Sequence, residues 1–479
     1  MAKLASLSPE ARKTLMARSL RRCEEDSLAA IAQSHQGTVF PLSPGQKRIW
    51  ILHRFEPESC AYNSALAVRF TGALLPSLLE RALNLLEDRH EILRTTFLLI
   101  DEEPEQHVHA PQHEPVTRVD ISQMPRETME LWINRFLQSE ASRPFSLDQL
   151  PLLRKTLIVL GKQKRVLSLT FHHILSDEWS IGILVKETAE LYRLLMSSSP
   201  RSLPPPLIQY ADYAVWQYQQ QKNKVFDKQL QYWSKALAGV QLLRVPLDWE
   251  RPEAPSYRGD VVTRPLSPET TAWVELCAME AEATPFMVLL AIFQVFLGFW
   301  TGQDDIAVGT AIANRNEPLT ENSIGFYVNT VVLRAQIDRR ESFHTFLNCV
   351  RKNLIDAYSN QEVPFDMVVD ALSPARRYDS SPLFQVFFQT IPMSDFDWPD
   401  IAAELISIPR VTSKFDLSLF IRETAEGLFA DWNYATALFQ RTTIELISEK
   451  FAVLLDLLAR TPQEPLEEIC QQAGCPDLW

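Results

Sequence analysis

Apolar and polar positions along this chain follow two periods, and the period changes where proline or polar clusters interrupt it. Leu78, Leu79, Ala82, Leu83, Leu85 and Leu86 recur at helical spacing and predict an amphipathic helix over 77–89. Strand-like runs flank it at 65–70 and 91–100, and 101–115 reads as a polar connection. A helix is predicted over 128–140, strands over 153–160 and 166–172, and a helix over 178–196. Prolines in 197–206 break the pattern, because proline cannot continue a helix or a central strand. A long helix rich in Tyr, Trp and Gln is predicted over 209–238. An irregular crossing with Pro246, Pro252, Pro255 and Pro265 follows.

The second half uses the same alphabet. Ser267, Pro268 and Glu269 give an N-cap, a proline at the first helical position and an early acid, as Ser8, Pro9 and Glu10 do near the start. Helices are predicted from there to 282 and over 286–301, 343–358 and 440–461. Strands are predicted over 305–311, 328–337, 383–390, 415–422 and 427–434. Strands and helices are interspersed in both halves, so the fold class is α/β (α+β) with two lobes of similar size. The divisions read from the pattern are a helical linker or docking segment at 1–36, an N-terminal lobe at 37–245 and a C-terminal lobe at 246–479.

Composition narrows the classes. Hydrophobic residues at 46% and charged residues at 22% fit an ordinary globular protein with enough apolar material for two cores. A net charge of −13 argues against a nucleic-acid partner. Cys23, Cys60, Cys277, Cys349, Cys470 and Cys475 include no C-x-x-C pair, which supports neither a disulfide framework nor a zinc site. Reduced thiols and a cytoplasmic location are the expectation. The N-terminus lacks the apolar core of a signal peptide, and the densest apolar run, 285–300, is too short to span a membrane and contains Gln294.

The most chemically loaded run is 170–180, with His172, His173, Asp177, Glu178, Trp179 and Ser180 at a strand end before a helix. Successive strand residues face opposite sides, so one histidine can face a cleft while the other is buried. An imidazole titrating near neutrality suits proton transfer. Asp177, four residues after His173, can touch the imidazole or lock the loop through an arginine. A metal site would need more carboxylates nearby. Taken alone, such a pair is usually two ordinary histidines, and the run by itself does not favour a functional reading.

The surrounding segments change that balance. Residues 41–50 carry Leu42, Ser43, Gln46, Arg48 and Trp50, and 89–97 carry Arg89, His90, Glu91 and Arg94. The run 170–177 follows, then 210–216 with Tyr210, Asp212 and Trp216, 324–330 with Gly325 and Asn329, 360–366, and 377–383. In order and spacing, over about 41–460, these resemble the successive motifs of condensation domains of nonribosomal peptide synthesis. The resemblance implies a chloramphenicol-acetyltransferase-like fold: two lobes in a V-shaped pseudo-dimer, the active site at their junction, and a tunnel through it.

The implied reaction is amide formation between an acyl or peptidyl thioester and an amine. Both substrates arrive on the 4'-phosphopantetheine arms of donor and acceptor carrier proteins, and the domain itself binds no cofactor or metal. An adjacent adenylation domain is a further implied partner. Neither nucleic acid nor membrane is, and the chain is expected as a monomer or as part of a larger synthetase. The resemblance makes His173 the catalytic residue, as general base or hydrogen-bond anchor, and His172 structural. It pairs Asp177 with Arg94 to hold the loop. It offers Glu178, Trp179, Ser180, Trp216 and Asn329 as tunnel residues. Glu178 departs from the glycine usual at its position. It either points away as an early helix residue, where an acid suits the helix dipole, or shapes the acceptor side. Retention of both histidines separates the chain from heterocyclisation domains. Ester formation with an alcohol acceptor, and a silent domain that recruits a tailoring enzyme, stand as alternatives.

Overall fold

The computed structural model describes residues 37–197, 202–253, 256–373, 381–392, 398 and 401–475. The helical segment expected at 1–36 and residues 377–380 of the seventh motif lie outside the described residues.

Three sheets organise the chain. The first contains β1 (Val39–Pro41), β4 (Glu103–Val108) and β3 (Thr95–Ile100) in the order β1-β4-β3. The second has the order β12-β2-β7-β6-β5, from β2 (Asn63–Thr71), β5 (Thr117–Asp120), β6 (Leu153–Val159), β7 (Lys164–His172) and β12 (Ala402–Ile406). The third has the order β10-β9-β11-β13-β14-β8. Its strands are β8 (Gly259–Pro265), β9 (Asp305–Ile312), β10 (Asn329–Gln336), β11 (Val386–Ile391), β13 (Leu417–Thr424) and β14 (Gly427–Ala435). Pairing is mixed: β11 runs parallel to β9 and β13, and β5 parallel to β6, while the others are antiparallel.

Each large sheet is covered by helices that bury an apolar face. In the second half, helix Pro285–Thr301 is apolar on every side, and Met287 to Trp300 are all buried. A helix of that kind belongs in a core. Its single side-chain amide, Gln294, donates to the Leu333 carbonyl at 3.1 Å, while its buried Oε1 has no partner among the described residues. This helix and Pro268–Glu280 together have the length and composition of a broken membrane span, yet they bend by 108°; Pro285–Thr301 lies in the core and Pro268–Glu280 packs one face against it. Among the described residues no single helix is long and apolar enough to cross a membrane.

The chain departs from the sequence expectations in ways that matter for the site. The strand expected over 91–100 begins with a 3-10 turn, Glu91–Arg94, and only Thr95–Ile100 is extended. The polar connection 101–115 contains β4, which hairpins back onto β3. Helix Pro44–Phe55, capped by Ser43 and Gln46, is an element the periodicity does not announce. The long helix expected over 209–238 is two helices, Tyr210–Lys222 and Asp227–Ala236, separated by a turn in which Lys224 has φ 56°.

That break shifts the lobe boundary. Trp233, Leu237, Leu243 and Val245 pack into the core of the second half, so the chain changes lobe near 223–226 and not at 245. In return, Ile324, Phe326, Tyr327, Trp398 and Ile401 pack into the core of the first half, and β12 extends its sheet beside β2. The two halves are interlocked by exchanged segments.

Candidate active site

β7 ends at His172, where Asn63 of β2 is its register partner. The chain then turns through the short 3-10 segment His173–Leu175 before Asp177 caps helix Glu178–Met196. Extended backbone up to His172 and a turn immediately after it send the two imidazoles in different directions. His172 is buried among His53, Tyr62 and Phe145, and its Nδ1 accepts from the Ile174 amide at 3.2 Å. Burial first, then the nearby His53 and Lys414 charges, lowers its pKa to about 3, so the ring is neutral. It packs the loop from behind.

His173 faces the large cleft of about 2380 Å³, whose wall is drawn from both halves. Its amide donates to the Tyr62 carbonyl at 2.7 Å, and its ring meets Phe326 edge-on at 5.1 Å. Its Nδ1 lies 2.7 Å from the Ser176 carbonyl. A carbonyl cannot donate, so Nδ1 carries the proton and Nε2 presents a lone pair. Desolvation, reinforced by the Lys414 charge, holds the pKa well below the usual histidine value against the pull of Ser176. The group facing the cleft is a neutral imidazole with one nitrogen committed and one available.

Asp177 does not pair with Arg94. Its partner is Arg315, which follows β9: Arg315 Nη2 lies 3.1 Å and 3.4 Å from the two Asp177 oxygens, with both side chains buried. Asp177 also accepts from the Ser180 amide at 2.8 Å and from the Tyr327 amide at 3.0 Å. Arg315 donates further to the carbonyls of Thr320 and Ser323 and to the Ser180 hydroxyl, and lies over the Tyr327 ring at 4.1 Å. Ser180 completes the knot by bonding the Gly325 carbonyl at 2.9 Å and its amide at 3.1 Å. The loop that carries His173 is thus tied to segment 323–327 of the other half. Arg94 sits elsewhere, donating to the carbonyls of Glu87 and His109 and to Glu91, where it fastens the 3-10 turn to the β3–β4 hairpin.

The remaining candidates separate. Glu178 and Trp179 line the cleft. Glu178 is the first residue of its helix and also faces the cleft, so its two readings are not exclusive. Burial raises its pKa, and the Arg410 charge opposes that rise. Trp179 donates its Nε1 proton to the Glu321 carbonyl at 2.9 Å. Ser180 is fully buried in the knot. Trp216 packs on Tyr213, Ile208 and Leu319 and does not reach the cleft wall. Asn329 is a latch: it donates to the carbonyls of Gln361 and Val363, and its oxygen accepts from the amides of Thr330 and Phe365. It also lies off the cleft wall.

The spaced motifs converge on this loop. Gln46 donates to the Ile174 carbonyl, and Ser43 bonds the Tyr210 hydroxyl, which donates to the Phe326 carbonyl at 2.7 Å. At Gly325 an added Cβ would lie 1.9 Å from the Tyr210 ring, so no larger residue fits there. The site residues that the sequence does not announce are cationic and come from the second half: Arg315 in the knot, and Arg410 and Lys414 on the cleft wall. Among the described residues no cluster of His, Cys, Asp and Glu could hold a metal ion.

Comparison with known proteins shows the family and the fold. The family model described as "Condensation domain" matches residues 36–472, and the chain belongs to that family, whose setting is nonribosomal peptide synthesis. It is 38% identical over 465 residues to a linear gramicidin synthase of Brevibacillus parabrevis, covering 96% of this chain and 9% of that protein. The chain therefore spans about a tenth of that curated relative. A solved X-domain, in complex with OxyB from teicoplanin biosynthesis, superposes with TM-score 0.79 at 24% identity over 91% of this chain and 96% of that one. The four-domain nonribosomal peptide synthetase AB3403, bound to AMP and glycine, matches with TM-score 0.81 at 22% identity over 90% of this chain and 34% of that one. The mixed α/β fold is the chloramphenicol-acetyltransferase-like fold of these domains.

Proposed function

We propose that this chain joins a carrier-bound acyl or peptidyl thioester to an amine, forming an amide, with His173 at the reacting centre. The observation that carries the reading is the state of His173: a neutral imidazole on the cleft wall, with Nδ1–H held by Ser176 and Nε2 open. Amine attack on a thioester carbonyl releases a proton, and a fixed neutral Nε2 can accept it. The imidazolium formed keeps its Nδ1–H bond to Ser176 and returns a proton to the leaving thiol. The low basicity of the ring makes it a weak base, which suits brief assistance and positioning more than prior deprotonation of an ammonium.

The cleft supports the same reading. Its volume, about 2380 Å³, exceeds the roughly 300–1,000 Å³ usual for one small ligand and leaves room for two extended arms. Donor and acceptor carrier proteins are the partners this requires, and their phosphopantetheine arms bring the thioester and the amine. Asp177, Arg315 and Ser180 act as positioning residues. The test is to mix the protein with acyl-loaded and aminoacyl-loaded carrier proteins and weigh the carrier-bound products. Amide product that disappears in His173→Ala supports catalysis. Ester product with hydroxyacyl-loaded carriers alone would move the assignment to ester formation. Absence of product with tight binding of a tailoring enzyme would move it to recruitment.

A further inference from the structure

Amide formation from a thioester passes through a tetrahedral oxyanion, and that charge needs a donor. His173 cannot supply one before it takes up the amine proton, because its only N–H is committed to Ser176. Two donors that follow His173 on the same loop and helix start are also committed: Trp179 Nε1 to Glu321, and the Ser180 hydroxyl to Gly325. Lys414, just before β13, is different. It lines the same cleft, its ammonium lies 4.6 Å from the centre of the Tyr62 ring, and its charge is close enough to depress the basicity of both histidines. Among the described residues no carboxylate pairs with it, whereas Arg410 has Glu178 as its principal opposing charge.

We propose that Lys414 is a second catalytic residue, whose ammonium binds the thioester carbonyl oxygen as it becomes the oxyanion. This rests on the amide-forming reading above. The amine lone pair forms the C–N bond, and the carbonyl π pair moves onto oxygen beside Lys414. The amine proton passes to His173 Nε2. On collapse that electron pair re-forms C=O, the C–S bond breaks, and the thiolate leaves with the proton from His173. Lys414 donates a hydrogen bond throughout and exchanges no proton, so it must be charged to act.

Its surroundings make that charge sensitive to pH. Desolvation first, then Arg410 on its own segment and Arg48 from helix Pro44–Phe55, lower its pKa to about 7. Tyr62 offers a ring face, and His172 and His173 are neutral. Glu178, Asp366 and Glu56 face the cleft without pairing with Lys414.

The experiment uses the full chain with acyl-amino-acid-loaded donor and aminoacyl-loaded acceptor carrier proteins, following single-turnover product formation from pH 6 to 9. Lys414→Met should lose about 10²–10³-fold in rate constant, with carrier binding unchanged and thermal unfolding no lower, since the change removes a desolvated cation. Lys414→Arg should keep much of the rate, and the wild-type to Lys414→Arg ratio should fall about tenfold per pH unit above 7 as the lysine alone loses its proton. The ratio cancels titration of the acceptor amine. Active wild type with Lys414→Met within about twofold of it, or a pH-independent ratio, overturns the inference and leaves the amide-forming reading standing. An inert wild type overturns both.

Discussion

The two walls of the cleft bring opposite chemistry to one space. The wall from the first half carries His173 and Glu178, a neutral base and an acid, on a strand end and a helix start that sit within six residues of each other. The wall from the second half carries Arg410 and Lys414, cations on an irregular segment between β12 and β13. The first wall is defined by local backbone geometry. The second is defined only by where long-range pairing places it. Arg315, 138 residues from Asp177, joins the two. The loop carrying His173 is therefore a local motif whose orientation is set by a distant partner.

Breaking the join should have the largest effect. Arg315→Ala leaves Asp177 buried without its counter-charge, and Asp177→Ala does the reverse. Each should destabilise by about 3–5 kcal/mol in urea or thermal unfolding and abolish product. Arg94→Ala should leave the site intact, which separates the observed pairing from the one expected from sequence. Next comes Gly325→Ala. Its Cβ must displace the Tyr210 ring, and overpacking of this kind costs about 1–3 kcal/mol, read from the same unfolding curves.

His172 offers a subtler contrast with its neighbour. Its pKa is about 3 in the folded protein against 6.5 for the free group, so the folded state binds fewer protons. The stability it contributes is complete above 6.5 and is lost as pH falls towards 3, with a slope of up to about 1.4 kcal/mol per pH unit. His172→Asn, which keeps an acceptor for Ile174 N–H, should flatten that part of the stability–pH curve. The smallest effect belongs to Glu178→Gly. The favourable helix dipole is opposed by the burial that raises the Glu178 pKa, so stability should change by no more than about 0.5 kcal/mol. A changed range of accepted amines in product mass spectra would assign Glu178 to the acceptor side, and an unchanged range would leave it to the helix.

Much of the first wall is legible in the sequence, because its signals are short-range. Strand alternation followed by Asp177 and a helical pattern places the two histidines on different faces and locates the helix start at Glu178. The ordered motifs name the family. What is not legible is long-range. Arg315 lies in a polar stretch without periodicity, so nothing near it signals a partner in the first half. Arg94 sits in a recognised motif, which makes it the natural partner to expect, yet its hydrogen bonds are all local. The break at Lys224 is invisible because the turn uses neither glycine nor proline. β4 is hidden because a hairpin strand that keeps polar residues along it lacks an apolar run. Motif membership points Trp216 and Asn329 towards the tunnel, whereas their contacts are those of packing and backbone latching.

On the proposed reading amide formation depends on His173, kept neutral by burial and held in its Nδ1–H tautomer by Ser176. The direct measurement is mass spectrometry of carrier-bound products from wild type and His173→Ala, with matched thermal unfolding. The expected result is amide product from wild type, a loss of about 10²–10⁴-fold in His173→Ala, and unchanged unfolding. Equal product from both proteins would contradict it.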